Sequence, residues 1–459
     1  MPRGPALARS RRRHASGEPR QTIYATIVAK TGLIDRISME TMAIIGTGIS
    51  GLGCAHFLHG RYRLTLYEKS DYVGGHSNTV AIDDERGPVS IDTGFMTYNE
   101  VTYPNLSRLF RELGVASRPS SMSFSVQHLP GKLEFCGSSL NHLFGQRRNL
   151  FKPQFWRMLL QIDRFNREAA AALESSRHQA LSLGEYVRER DYGEQFLNYY
   201  LLPMSCAVWS SPPDRMLQFP AMTLLRFFHN HGFLGLHTQH PWRTVRGGAR
   251  TYVDKLIAPF RDRICLKRGA VAVRRGPDAV QVTDESGHTS RYDHAILACH
   301  ADQALKLLQD ADGEERAVLG QFRYQPNTAL LHTDARVMPR TARCWSSWNY
   351  RVNHDQDGRV APSTIYWINR LQGIDAQRDY FISINGDEAL QPHNVLKRIH
   401  YEHPLFDDGA IRAQRQLPRL NERRTGVYLC GSYFRYGFHE DAFSSALQLS
   451  RLLGERVWA

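Results

Sequence analysis

Cysteine is sparse and scattered. Cys54, Cys136, Cys206, Cys265, Cys299, Cys344 and Cys430 form no C-x-x-C pair and are odd in number, which argues against a disulfide framework and against a metal site. The pattern fits reduced, buried thiols in a cytoplasmic protein. Lysine is nearly missing as well, with eight Lys against fifty Arg in 459 residues. No apolar run approaches the ~18 residues that a membrane-spanning helix needs. Apolar residues still make up 42% and charged residues 22%, which excludes global disorder. At roughly 150 residues per domain the length suggests two or three domains. The formal charge of +13 reads as a compositional Arg bias, and no nucleic-acid partner is expected.

Residues 1–41 hold eight Lys/Arg and three Asp/Glu. Arg11, Arg12 and Arg13 are not followed by an apolar segment, which argues against a secretory signal. The stretch reads as a disordered basic extension, with Met39 or Met42 as a natural start. The alternative is a targeting peptide or a nucleic-acid arm.

From Met42 the chain reads MAIIGTGISGLGCAHFL. Residues 43–45 predict a buried parallel strand. Gly46, Gly48 and Gly51 then form G-x-G-x-x-G, which allows a tight turn, backbone approach to a pyrophosphate and close helix–strand packing. The helix that opens at Ile49 and Ser50 aims free N–H groups at the phosphates. A second strand, RLTLYE, ends in Glu68, 22 residues after Gly46. A carboxylate there suits an adenosine ribose with both hydroxyls free.

Glu68 and Lys69 are followed by Gly74-Gly75-His76. Here the chain resembles the FAD enzymes that include amine oxidases and phytoene desaturases, in which a Gly-Gly-Arg stands next to the flavin diphosphate. His76 replaces that Arg. Thr93 and Gly94 in SIDTGFMTYN, Val271 in AVAVRR, and Gly431-Ser432 in VYLCGS match further segments of that family. The resemblance implies that Val271 contacts adenine through its backbone. Ser432 stands where the family has an Asp on the ribityl phosphate region. It also implies that the helix near Ala442 points its N-terminus at the flavin pyrimidine. FAD is therefore the expected cofactor. The expected fold is α/β: an interrupted, two-domain FAD-binding Rossmann-type fold plus a substrate domain with an antiparallel sheet and helices. Residues 42–105, 240–305 and 420–459 are assigned to the first domain, and 106–239 and 306–419 to the second.

The substrate half has strand-like segments rich in β-branched and aromatic residues, namely YQPNTALLHTDARVMPR, CWSSWNYR, TIYWINRLQ and YFISIN. With GFHEDAF, these segments resemble bacterial FAD oxidoreductases whose genes accompany cyclopropane-fatty-acid-synthase-like methyltransferases. A lipid methyltransferase partner is implied by that resemblance. The segment LFKPQFWRMLLQIDRF places Phe155, Met158, Leu159, Ile162 and Phe165 on one helical face, ringed by Arg147, Arg148, Lys152, Arg157 and Arg164. That face reads as core. The alternative is a docking face for anionic lipid on the inner membrane.

Glu440, His439 and Tyr98 are the candidate catalytic side chains, with Glu440 or His439 as base. The resembled amine oxidases carry a Lys near the flavin, yet no Lys occurs between Lys306 and Lys397. The expected activity is an FAD-dependent dehydrogenation or isomerisation of an apolar substrate, a membrane fatty acyl chain above all. The alternatives are an amine oxidase on a small amine, or a flavin-binding accessory protein without turnover.

Overall fold

A five-stranded parallel sheet lies at the centre of one half of the molecule. Its order is Ile264–Cys265, Arg63–Tyr67, Thr41–Ile45, His294–Leu297, Val427–Leu429. The computed structural model describes residues 39–455 and 457–458, apart from 175–177, 179, 236–237, 355–357, 359 and 387–388. The strands are short apolar runs because both faces are covered. Ala43, Ile45, Ala295 and Leu297 pack into one cluster, and Met42, Ile44, Leu66 and Ile296 into another. On the second face lie the helices Ile49–Leu58 and His439–Leu452. These two helices touch closely enough that a Cβ on Gly53 would sit 2.9 Å from the Phe443 ring. The first face meets a three-stranded antiparallel sheet, Ala270–Arg275, Val280–Asp284 and Thr289–Tyr292.

The basic extension expected for residues 1–41 lies outside the described residues as far as 38. Its far boundary is corrected, because Thr41 belongs to the first strand. Its backbone N–H and its hydroxyl both donate to Asp293 Oδ2 at 2.7 Å, and the Glu40 carbonyl accepts from the Arg63 N–H.

The other half is built on a seven-stranded sheet in the order Val395–Leu405, Arg323–His332, Phe381–Ile384, Val360–Trp367, Trp348–His354, Phe124–His128, Leu133–Cys136. It is mixed rather than purely antiparallel, since Trp348–His354 runs parallel to Phe124–His128. Those two strands are far apart in sequence, so no hairpin dictates their relative direction. TIYWINRLQ is also only half strand: Val360–Trp367 gives way to the short helix Ile368–Leu371.

Helices fill the space beside this sheet. The longest, Pro153–Glu174, turns Phe155, Met158 and Phe165 inward. The apolar face read from the sequence is therefore core, which overturns docking through that face. Ser182 caps Leu183–Glu189 reciprocally with Glu185, and a π-helical segment at Leu197–Leu201 leads into Leu202–Trp209. Among the described residues no helix is long and apolar enough to cross a membrane.

Candidate active site

A cavity of about 760 Å³ opens at the carboxyl ends of the parallel strands and reaches the seven-stranded sheet. That edge is where open α/β sheets bind ligands. Ile45 and Gly46, Tyr67 and Glu68, Ala298 and Cys299, and Gly431 line it from four strand ends.

The glycine loop divides its labour. A Cβ on Gly51 would meet the Gly46 carbonyl oxygen at 2.0 Å, so Gly51 serves packing and does not line the cavity. A Cβ on Gly48 would meet nothing within 4 Å, so its backbone is open to a ligand. Ile49 and Ser50 also line the cavity. Their helix has no side-chain cap and no acid in its first turn, leaving N–H groups for an anion. Gly75, in the second cradle, comes close to Gly48: a Cβ there would lie 3.2 Å from the Gly48 Cα. Gly74 lies outside the lining.

Glu68 is held from three directions. It accepts from the Thr47 N–H (3.1 Å), the Thr47 hydroxyl (2.5 Å) and the Ser70 N–H (2.8 Å). Lys69 and Val271 line the same end of the cavity. Gly94, Ser432 and Ala442 line it as well, whereas Thr93 stands behind it, 2.9 Å from the Tyr401 hydroxyl.

His76 differs in kind from the Arg it replaces. Burial, helped by His300, pushes its pKa down to about 4, so it is neutral near pH 7. Its ring stacks on Tyr401 at 4.6 Å and lies 5.4 Å from His403. Its Nε2 has no hydrogen-bond partner among the described residues. An orphaned buried donor site, an open glycine and an uncapped helix start together fit a bound diphosphate.

Of the three candidate catalytic residues, only His439 reaches the cavity. Its Nε2 lies 2.7 Å from the Tyr252 hydroxyl and 3.1 Å from Ser77 Oγ, and its ring stacks on Phe95 at 4.0 Å. Burial pushes its pKa down to about 3, so it is a weak base. The reading of Glu440 as a base is corrected. Its oxygens accept from the Asn105 N–H and side-chain amide (3.1 and 2.8 Å) and from the Leu106 N–H (2.9 Å), at the start of the helix Pro104–Glu112. Burial raises its pKa. It ties two helices together and lies outside the cavity lining. Tyr98 is likewise buried against Phe110, 5.0 Å between rings, and does not line the cavity.

The remaining wall is apolar, and the sequence offers the Met, Trp and Phe of LLPMSCAVWSSP and FPAMTLLRFFHNHGFLGL equally as a tunnel lining or as core. Phe124, Met204, Trp209, Phe227, Trp348 and Tyr366 form it. Trp209 and Phe227 lie 4.7 Å apart, and Phe227 stacks on Phe438 at 4.9 Å, beside the start of the C-terminal helix. The edge strand Val395–Leu405 was missed altogether and supplies His400, Tyr401, Glu402 and His403. The signal was the alternation of Ile399, Tyr401 and His403 with the exposed His400 and Glu402.

The family model of flavin containing amine oxidoreductases matches residues 49–367. The chain belongs to that family. As a flavin containing amine oxidoreductase it binds FAD, and the residues that fit the cofactor are the two glycine cradles, Glu68 and His76. The same fold occurs in cyclohexylamine oxidase from Brevibacterium oxydans IH-35A (14% identity, 91% of this chain and 100% of that one, TM-score 0.62). It also occurs in a CLA-producing fatty acid isomerase from P. acnes (13%, 90% and 98%, TM-score 0.63). A third example is reduced UDP-galactopyranose mutase (16%, 90% and 96%, TM-score 0.61). Among curated proteins none matches this oxidoreductase.

Proposed function

We propose that this oxidoreductase acts on a long apolar substrate, a fatty acyl chain, by dehydrogenation or isomerisation. The observation that carries this reading is the aromatic wall of the cavity. The carboxylates in the lining are Glu68, Glu285 and Glu402. Glu68 is engaged by Thr47 and Ser70, and Glu285 lies against Gly269, beside the stem of Lys69. Glu402 sits 3.4 Å from His300. None stands among the aromatic side chains to neutralise an ammonium group. The strand Arg323–His332 carries no Lys, which further disfavours a small amine.

When bound, FAD supplies the hydride acceptor of the oxidation. The chain's own share is positioning. The aromatic wall excludes water and holds a chain in line, which can supply much of the barrier reduction by orientation alone. His439 stays neutral and fixes Tyr252 and Ser77 in one hydrogen-bonded triangle. No strong base is needed among these groups for hydride transfer by positioning.

The test is anaerobic mixing of the yellow holoenzyme with fatty acids and unsaturated phospholipids on one side and primary amines on the other. Bleaching of the flavin by an acyl substrate, or growth of conjugated-diene absorbance, supports the reading. Bleaching by amines, with neither signal from lipids, overturns it.

A further inference from the structure

Residues 137–162 contain no Asp or Glu but carry Arg147, Arg148, Lys152 and Arg157. With the inward face of Pro153–Glu174 buried, the outward face leaves Trp156 45% and Leu160 69% exposed. The turn before it, Arg147–Phe151, leaves Phe151 86% exposed, and the short helix Leu140–Leu143 leaves Leu140 76% exposed. With Leu150, this one stretch supplies five of the eleven exposed large hydrophobics among the described residues.

The pieces form one surface. The Trp156 indole donates to the Leu150 carbonyl at 2.9 Å and its ring lies 5.2 Å from Phe144. Arg147 donates to the Phe144 carbonyl (3.1 Å) and to Asn141 Oδ1 (2.6 Å), and Arg148 donates to the Lys132 carbonyl. The Arg343 stem lies beside Gly145 on the neighbouring turn. Among the described residues none of Arg147, Arg148, Lys152 and Arg157 forms an ion pair with a carboxylate.

We propose that this surface docks on an anionic lipid bilayer. Apolar tips alternate with cations instead of forming a groove, which suits a headgroup layer with acyl chains beneath it. Long basic side chains can lay their stems along the apolar region and keep their charges among phosphates. The Trp156 N–H is satisfied internally, so the ring enters the interface without an unpaired donor. The absence of any acid across the stretch makes the charge complementary to phosphatidylglycerol and removes repulsion. Phe124 lines the cavity while Val126, on the same strand, packs under the helix with Phe155 and Met158. The docking surface and the apolar wall thus share a strand. The inference stands independently of the acyl-chain reading, because vesicle binding reads the surface and flavin reduction reads the cavity.

The experiment is sedimentation of the FAD-loaded full chain with phosphatidylcholine vesicles, with and without phosphatidylglycerol. The expected result is binding that requires phosphatidylglycerol and weakens with salt, as screening of exposed charges demands. Each basic residue near such a surface is worth about a fivefold gain. Lys152→Glu with Arg157→Glu should therefore lower partitioning by at least about tenfold. Phe151→Ser with Leu160→Ser, which removes two exposed side chains, should lower it by a similar factor with unchanged FAD content. Equal binding by wild type and both variants would place attachment elsewhere on the chain and overturn the proposal. So would failure of the wild type to sediment. A wild-type dimer that Phe151→Ser dissociates would overturn it too, making the surface an interface between copies.

Discussion

The two walls of the cavity are built by opposite means. At the parallel-sheet end, backbone does the work: glycines at fixed spacing, an uncapped helix start and one carboxylate. At the mixed-sheet end, side chains do it, drawn from helices and strands between residues 124 and 404. A backbone cradle leaves no room for added atoms, against its own chain at Gly51 or against a ligand at Gly48, so its sequence is nearly forced. An aromatic wall has many solutions of equal volume, so its sequence is free to vary.

The largest expected effect separates the two roles inside the backbone wall. Gly51→Val should give no folded protein, because its Cβ would lie 2.0 Å from the Gly46 oxygen. Gly48→Val should fold, with an unchanged melting temperature for the FAD-free form, and yet bind FAD at least about a hundredfold more weakly, roughly 2.8 kcal/mol. FAD released on denaturation and the thermal melt measure both. A Gly48 variant that melts early would show that the open space is structural.

Trp209→Ala probes the other wall. Trp209 contacts Phe219 and Phe227, each at 4.7 Å between rings, and its truncation should cost about 3–5 kcal/mol in urea unfolding. FAD content should persist while the acyl response of the flavin disappears. Retention of that response would remove the aromatic wall from substrate binding.

Glu440→Gln comes next. It turns one acceptor oxygen into an amide donor facing backbone N–H groups, at a cost of about 1–3 kcal/mol in stability. The rate of flavin reduction should not change, which separates a helix tie from a base. A drop of 10²-fold or more in that rate, typical of a lost general base, would restore Glu440 to the chemistry.

The smallest effect is on pH. Burial depresses His76 and His300 to about 4 and His403 and His439 to about 3, below their ordinary 6.5. The unfolded chain then binds protons that the folded chain does not, so this contribution is complete above pH 6.5 and lost as pH falls toward about 4. Asp92 and Asp441, both pushed up to about 7 by burial, act in the opposite sense and offset part of it. The melting temperature should fall between about pH 7 and about pH 5, and His403→Asn should flatten that slope.

Much of the backbone wall was legible in the sequence, since strand, glycine spacing and a terminal carboxylate have one geometric meaning. Most of the aromatic wall was not. Met204, Trp209 and Phe227 read equally well as core, and packing alone does not reveal which apolar residues face a void. The edge strand Val395–Leu405 hid behind Lys397, Arg398, His400 and Glu402, exposed polar residues that break its apolar pattern. Glu440 was misplaced for a reason that helical geometry explains. At 3.6 residues per turn, His439 and Ala442 share a face, while Glu440 is rotated about 100° away from His439 and meets Pro104–Glu112 instead.

The strand order of the parallel sheet also governs how the chain is made. Thr41–Ile45 leaves the ribosome long before one of its neighbours, His294–Leu297, whose other neighbour is Val427–Leu429. Such distant pairings are slow to close, because loop entropy must be overcome before contacts reward it. The far rim of the cavity, Gly431 and Ser432, is made long after Gly46 and Gly48. Any nascent form cut short before residue 427 exposes the unpaired edge of His294–Leu297 and lacks the strand end that carries Gly431.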